Sequence, residues 1–81
     1  MNSEITVKTK QVFEKVFPES TNNFDWDRNQ SDYENWDSFH HANLISELEN
    51  QFNIHFEIDE IISISSAKSA LNTIMKKKND N

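Results

Sequence analysis

Apolar side chains recur along this chain at helical spacing in three long segments. Over residues 4–17, Ile5, Val12, Phe13, Val16 and Phe17 fall near one stripe, with Asn2 or Ser3 ahead as a cap and Pro18 behind as a stop. Over residues 38–52, Leu44, Ile45, Leu48 and Phe52 line one face, with Ala42 beside them. Asn53 follows, at the place where a helix often ends in a left-handed residue. Ser65 or Ser66 then caps a last helix to about residue 77, with Ala67, Ala70, Leu71, Ile74 and Met75 inward and Lys76, Lys77 and Lys78 at its C-terminal end. Asp59-Glu60-Ile61-Ile62 adds a short helix near 59–63. Ile54-His55-Phe56-Glu57-Ile58 alternates as a strand does, but one strand alone leaves its main chain unpaired. The segment therefore reads as an extended connector.

Between the first two helices runs a long polar stretch, residues 18–37. A connection of this length in a compact domain is functional or disordered. Its aromatics Phe24, Trp26, Tyr33 and Trp36 are expected to pin it to the core, and Ser31-Asp32-Tyr33-Glu34 matches a capping box that would start a short helical turn. The expected fold is all-α: a four-helix bundle with a long first loop and a short third helix. It forms one domain over residues 1–81, with its core at about 4–77.

At 81 residues the chain buries only ~60–65% of its unfolded surface, too little for a deep, water-free catalytic cavity. That argues for a non-catalytic protein. The sequence contains no cysteine, so it has neither a disulfide framework nor a thiol nucleophile of its own. It shows neither the apolar run of a leader peptide nor the ~20 apolar residues of a membrane span. A soluble, cytoplasmic monomer away from membranes is the expectation.

The net charge of −6 sets the chain against nucleic acid. Its distribution says more. Residues 19–62 hold Glu19, Asp25, Asp27, Asp32, Glu34, Asp37, Glu47, Glu49, Glu57, Asp59 and Glu60 against the single base Arg28, while the lysines lie near the ends. Such segregation is a solvated surface or a means of steering basic partners.

Four constellations could carry chemistry. Asp25-Trp26-Asp27-Arg28-Asn29-Gln30 opens like a calcium loop, yet Gln30 stands where glycine is required and Trp36 where the bidentate glutamate belongs. His40 and His41 are adjacent, so on a helix they diverge by about 100° and chelate poorly; no metal is expected. Ser38 and His41 have the spacing of a contacting pair, but nothing supplies an oxyanion hole or an orienting acid. Asp37-Ser38-Phe39 opens the strongest helix. Either residue of Asp37-Ser38 suits a cap, and the helix N-terminus is also an anion site beside an exposed hydroxyl.

The run Asn35-Trp36-Asp37-Ser38-Phe39-His40-His41-Ala42-Asn43-Leu44-Ile45 resembles the acyl carrier protein family. Glu47-Leu48-Glu49, Phe52-Asn53-Ile54, Phe56, Glu60-Ile61 and the Ser65/Ser66 helix continue the likeness over about residues 4–76. It is nearest the branch with Trp-Asp-Ser-Leu in place of Gly-x-Asp-Ser-Leu. The resemblance implies 4′-phosphopantetheine, transferred from coenzyme A to Ser38 by a phosphopantetheinyl transferase that uses Asp37 for recognition. An acyl or aminoacyl group would then ride on the arm's thiol as a thioester, loaded by a ligase and passed to downstream transferases or synthases. The cofactor's sulfur would supply what the chain lacks. Phe39 replaces the usual leucine, Asn43 stands where many fatty-acid carriers have glutamate, and His40 and His41 follow the site directly. These departures point to a specialised biosynthetic pathway. Docking is expected on Phe39, Ala42, Asn43, Glu47, Glu49, Glu57 and Glu60. The alternative is an unmodified acidic adaptor that binds a basic protein through the same helix.

Overall fold

The computed structural model describes residues 3–20, 22 and 24–79. Four helices follow one another: α1 (Ser3–Val16), α2 (Ser38–Phe52), α3 (Ile58–Ser63) and α4 (Ala67–Asn79), with short 3-10 turns at Pro18–Ser20 and Gln30–Asp32. No strand occurs among the described residues, and residues 54–57 are an extended connector. The fold is the all-helical bundle, long first loop and short third helix that the apolar spacing predicts.

The helix ends follow from local chemistry. α1 stops at Val16 because Pro18 pushes the residue before it out of helical geometry, although the Phe17 amide still donates to the Phe13 carbonyl at 2.8 Å. Asn2 and the Ser3 side chain, the expected caps, lie outside what is described. α2 ends at Asn53, whose φ of 54° and ψ of 51° are left-handed; in a chain without glycine, asparagine is the residue that tolerates this best. α3 begins one residue earlier than expected because the Glu60 carboxylate reaches back to the Glu57 amide at 2.8 Å. Ser66 caps α4: its Oγ accepts from the Ser69 amide at 3.1 Å, while Ser69 Oγ accepts from the Ser66 amide at 3.0 Å.

α1 packs against both α2 and α4. The core is Val12, Phe13 and Phe17 of α1 and its end, Leu44, Ile45, Leu48 and Phe52 of α2, Phe56 and Ile64 flanking α3, and Ala67, Ala70 and Ile74 of α4. Leu71 and Met75, expected inside, are half-buried, and Ala42 is exposed. Thr9 is fully buried, its hydroxyl bonded to the Ile5 carbonyl at 2.8 Å.

The long loop is held at two levels. Tyr33 and Trp36 are buried. Trp36 lies 5.6 Å from Phe13, 5.2 Å from Phe17 and 5.0 Å from Tyr33 between ring centroids. Phe24 and Trp26 are half-buried and meet edge-to-face at 4.9 Å. Main-chain bonds tie the loop to the start of α4: Gln30 to the Ser65 carbonyl at 2.7 Å, and Lys68 to the Trp26 carbonyl at 3.0 Å. These bonds correct one expectation. The turn in the loop is Gln30–Asp32, not one opened by a capping box at Ser31–Glu34, because pairing with Ser65 and Ser66 fixes the chain from Asn29 onward.

Leu48 is fully buried at the centre of α2. Leu48→Ala is expected to cost about 2–5 kcal/mol in a denaturant melt, the range for a leucine removed from a close-packed core. A loss below about 1 kcal/mol would place Leu48 outside the cooperative core.

Candidate functional site

The N-terminus of α2 is where the sequence concentrates its chemistry, and its geometry separates two residues that both suit a cap. Asp37 is the cap: its backbone is extended (φ −98°, ψ −171°) and its Oδ1 accepts from the His40 amide at 2.9 Å. The same oxygen lies 2.8 Å from His40 Nδ1. Ser38 is the first residue of α2, exposed, and its hydroxyl has no hydrogen-bond partner among the described residues. Capping therefore accounts for Asp37 and leaves Ser38 unexplained.

Two further features make this end receptive to an anion. The His40 and His41 amides are satisfied by Asp37, but those of Ser38 and Phe39 have no partner among the described residues. The helix dipole adds partial positive charge at the same point. Hydrogen bonds from the amide and ring of His40 hold the Asp37 carboxyl below the usual carboxylate range, so it stays ionised beside Ser38.

The loop supports the site from behind. The Gln30 side chain donates to the Trp36 carbonyl at 3.1 Å, and the Asn35 amide group to Glu19 at 2.6 Å. His40 stacks on Phe17 at 6.1 Å. His41 turns inward. Trp36 Nε1 donates to its Nδ1 at 2.8 Å, and its Nε2 lies 2.8 Å from the Ile61 carbonyl oxygen. Both ring nitrogens are thus engaged away from Ser38, and the Ser38–His41 pair lacks a free base. An open hollow of about 610 Å³ lies beside Tyr33 and Trp36, walled by Asn29, Gln30, Ser31 and Ser65. A hollow so polar and open does not desolvate a reacting group.

The expected docking residues divide. Phe39, Ala42 and Asn43 are exposed on α2, Phe39 at 69%. Glu57 is exposed at the start of α3. Glu47 pairs with Lys15 of α1 at 3.1 Å. Glu49 and Glu60 have structural duties. Glu49 accepts from the Phe56 amide at 2.8 Å and faces His55 at 3.5 Å. Glu60 bridges to Lys77 at 2.8 Å; that bond and the Glu57 amide lower its pKa, and Lys77 is raised in return. Sequence reasoning missed Ile58 and Ile62, each 76% exposed. Their i, i+4 spacing places them together on the outer face of α3. That spacing was the available signal, but it reads equally well as an inward face.

The calcium-like segment forms a local turn: Asp25 Oδ1 accepts from the Asp27 amide at 2.9 Å, and the Asp25 carbonyl from Arg28 at 3.2 Å. No group of three or more His, Asp or Glu side chains that could hold a metal lies among the described residues, and no described helix is long and apolar enough to cross a membrane.

No family model, curated protein or solved structure matches the chain. What the site can do follows from its own geometry.

The capping role of Asp37 has a pH signature. A carboxyl lowered by folding contributes stability that is fully present above its unfolded value, ordinarily 3.8. That contribution is lost as pH falls through the folded value. Asp37→Asn keeps a cap acceptor without the charge. Wild type should melt higher than Asp37→Asn at pH 7, and the gap should close by about pH 2. An equal gap at both pH values would show that the charge plays no part.

Proposed function

We propose that the chain is a carrier whose Ser38 hydroxyl bears a 4′-phosphopantetheine arm, with an acyl or aminoacyl cargo held as a thioester on the arm's thiol. The observation that supports this most is the division of labour at the α2 N-terminus. Asp37 takes the cap, and Ser38 is left exposed, unbonded and beside two open amides. In the loading step Ser38 Oγ would form the phosphodiester bond and 3′,5′-adenosine diphosphate would leave coenzyme A. A separate phosphopantetheinyl transferase would take the serine proton. The new phosphodiester would meet the amides of Ser38 and Phe39 and the positive end of the α2 dipole. The Trp-Asp-Ser run and its continuation to Glu60-Ile61, which resemble the acyl carrier family, support the same reading. The protein would act as a substrate of its partners and carry out no chemistry of its own.

Partners would approach the exposed rim of α2 and the start of α3, over Phe39, Ala42, Asn43 and Glu57, with Glu47, Glu49 and Glu60 contributing field more than direct bonds. Exposed pairs contribute only ~0–1 kcal/mol each, so the acidic rim would act chiefly on the on-rate and weaken with salt. Asn43 lightens that rim relative to housekeeping fatty-acid carriers. The carrier is therefore assigned to a specialised pathway with its own loading ligase.

Incubated with coenzyme A and a broad-specificity transferase, wild type should gain the mass of one phosphopantetheine. Ser38→Ala should gain none while keeping its helical spectrum, and Asp37→Ala should be modified more slowly. Modification of Ser38→Ala, or none of wild type with several transferases, would end the carrier reading and favour an unmodified acidic adaptor.

Loaded with the arm and supplied to a fatty-acid synthesis system stripped of its own carrier, the protein should support elongation poorly. Elongation at the native carrier's rate would overturn the specialised assignment alone.

A further inference from the structure

The hollow beside Tyr33 and Trp36 is walled by polar side chains that the fold leaves unbonded. Elsewhere at this end of the molecule such groups find partners within the chain: Asp37 with His40, Asn35 with Glu19, and Ser66 with Ser69. Around the hollow they do not. Asn29 holds the cap position of the 3-10 turn, yet its side chain makes no cap bond. The Gln30 side chain uses its N–H on the Trp36 carbonyl at 3.1 Å, and its Oε1 is left over. The hydroxyls of Ser31 and Ser65 have no hydrogen-bond partner among the described residues. The Tyr33 hydroxyl is buried, also without a partner among the described residues.

None of the six residues in this wall is charged. An anion entering the hollow would find no wall cation, and a cation no wall carboxylate. The wall offers donors and acceptors together: two hydroxyls, the Asn29 carboxamide and the Gln30 oxygen. Tyr33 and Trp36 add apolar ring surface. A matching ligand is uncharged and carries N–H and C=O groups on an aliphatic frame, as a chain of secondary amides does. At about 610 Å³ the hollow has the ordinary size of a small-molecule site.

Its place suits one such chain. Trp36 lies two positions before Ser38, so their Cα atoms are no more than about 7.6 Å apart. The Gln30–Trp36 bond fixes the wall against that segment. Beyond its phosphate, phosphopantetheine is an aliphatic chain with one hydroxyl and two secondary amides.

We propose that the hollow is a seat for an uncharged chain of secondary amides, held by Asn29, Ser31 and Ser65, and that its occupant is the amide stretch of the arm on Ser38. The seat stands on the geometry alone; the occupant rests on the carrier reading. A short tether presents a ligand to its seat at an effective concentration in the millimolar range. Binding on the order of millimolar for the free chain is therefore enough to park the arm against the loop between transfers.

Free pantetheine, which has both amides and lacks the phosphate, is the probe. Titrated into the unmodified whole chain and followed by nuclear magnetic resonance, it should shift the main-chain amides of residues 29–31 and 65 and the Asn29 side-chain amide. Half-saturation is expected on the order of 1–10 mM. The amides of Asn53 and Lys77, which line a separate hollow, should not move. Pantothenate, in which a carboxylate replaces the second amide, should bind at least about fivefold more weakly. Ser31 and Ser65 are exposed, and changing Ser31→Ala together with Ser65→Ala leaves the main-chain bond from Gln30 to Ser65 in place. This double variant should keep its helical spectrum and bind pantetheine on the order of tenfold more weakly. Wild type loaded by a transferase should show the hollow's shifts with no ligand added, and pantetheine should then cause no further change. Hollow signals that stay unmoved at tens of millimolar, or equal binding by wild type and the double variant, would overturn the seat. A loaded arm that leaves the hollow signals unmoved would overturn the occupant and leave the carrier reading intact. A wild type that binds pantetheine but is never loaded would strike the occupant together with the carrier reading and keep the seat.

Discussion

The burial of Trp36 is the constraint on which the rest of the structure depends. A polar connection of some twenty residues has to be ordered without a glycine to ease its turns. Fixing each residue of such a stretch costs about 1–2 kcal/mol of backbone entropy. Few of its residues have apolar surface to set against that. Trp36 does, packed against Phe13, Phe17 and Tyr33, and its one polar atom is satisfied by His41. A buried aromatic of this size contributes on the order of 3–5 kcal/mol, comparable with the whole stability of a small domain. α2 starts two residues later. The direction in which Ser38 leaves the surface is therefore set by the indole, through the short rigid step Trp36-Asp37-Ser38.

That step also shows why the fold was legible from sequence and parts of the site were not. Helices with one apolar stripe announce themselves: Leu44, Ile45, Leu48 and Phe52 can be buried together only on a 3.6-residue period, and the structure buries all four. Asn53 was legible for a related reason, since few residues tolerate a left-handed backbone. The loop turn at Gln30–Asp32 was not, because long-range pairing with Ser65 and Ser66 decides it, and no local pattern encodes a partner thirty-five residues away. The cap was ambiguous between Asp37 and Ser38 on composition alone. Only the bond from the His40 amide resolves it.

Charge was the least legible quantity. Along the sequence Glu47, Glu49, Glu57, Asp59 and Glu60 look like one acidic surface. In the fold they have different tasks. Glu49 supplies an acceptor for the Phe56 amide, which the extended connector leaves without a ladder partner. Glu60 serves the Glu57 amide and Lys77 at once. A carboxylate bonded to a main-chain amide still contributes to the long-range field, but it is less free to meet a partner's lysine. The surface that remains at the α2–α3 end pairs free acids such as Asp59 with uncovered apolar side chains, Ile58 and Ile62 on α3 and Phe39 on α2. Isolated exposed apolar residues need no explanation. Two on the outer face of a six-residue helix that turns the half-buried Ile61 to the core are a different matter, because that outer face offers solvent a contiguous apolar surface.

This arrangement makes α3 the element of least local stability in physical terms. The stability of a segment tracks its buried apolar contacts, and α3 has its anchors, Phe56 and Ile64, just outside its own ends. Its middle is held by Ile61, half-buried against the core, and by two polar ties, a carbonyl bond to a histidine and an ion pair to α4. Polar ties of this kind are individually modest. The histidine tie is shared with Trp36, so it connects the least stable element to the most firmly packed residue of the loop. Ser38 emerges from the packed side of that connection, and Ile58 and Ile62 from the soft side. The two ends of this surface, the start of α2 and the outer face of α3, are joined through a single imidazole.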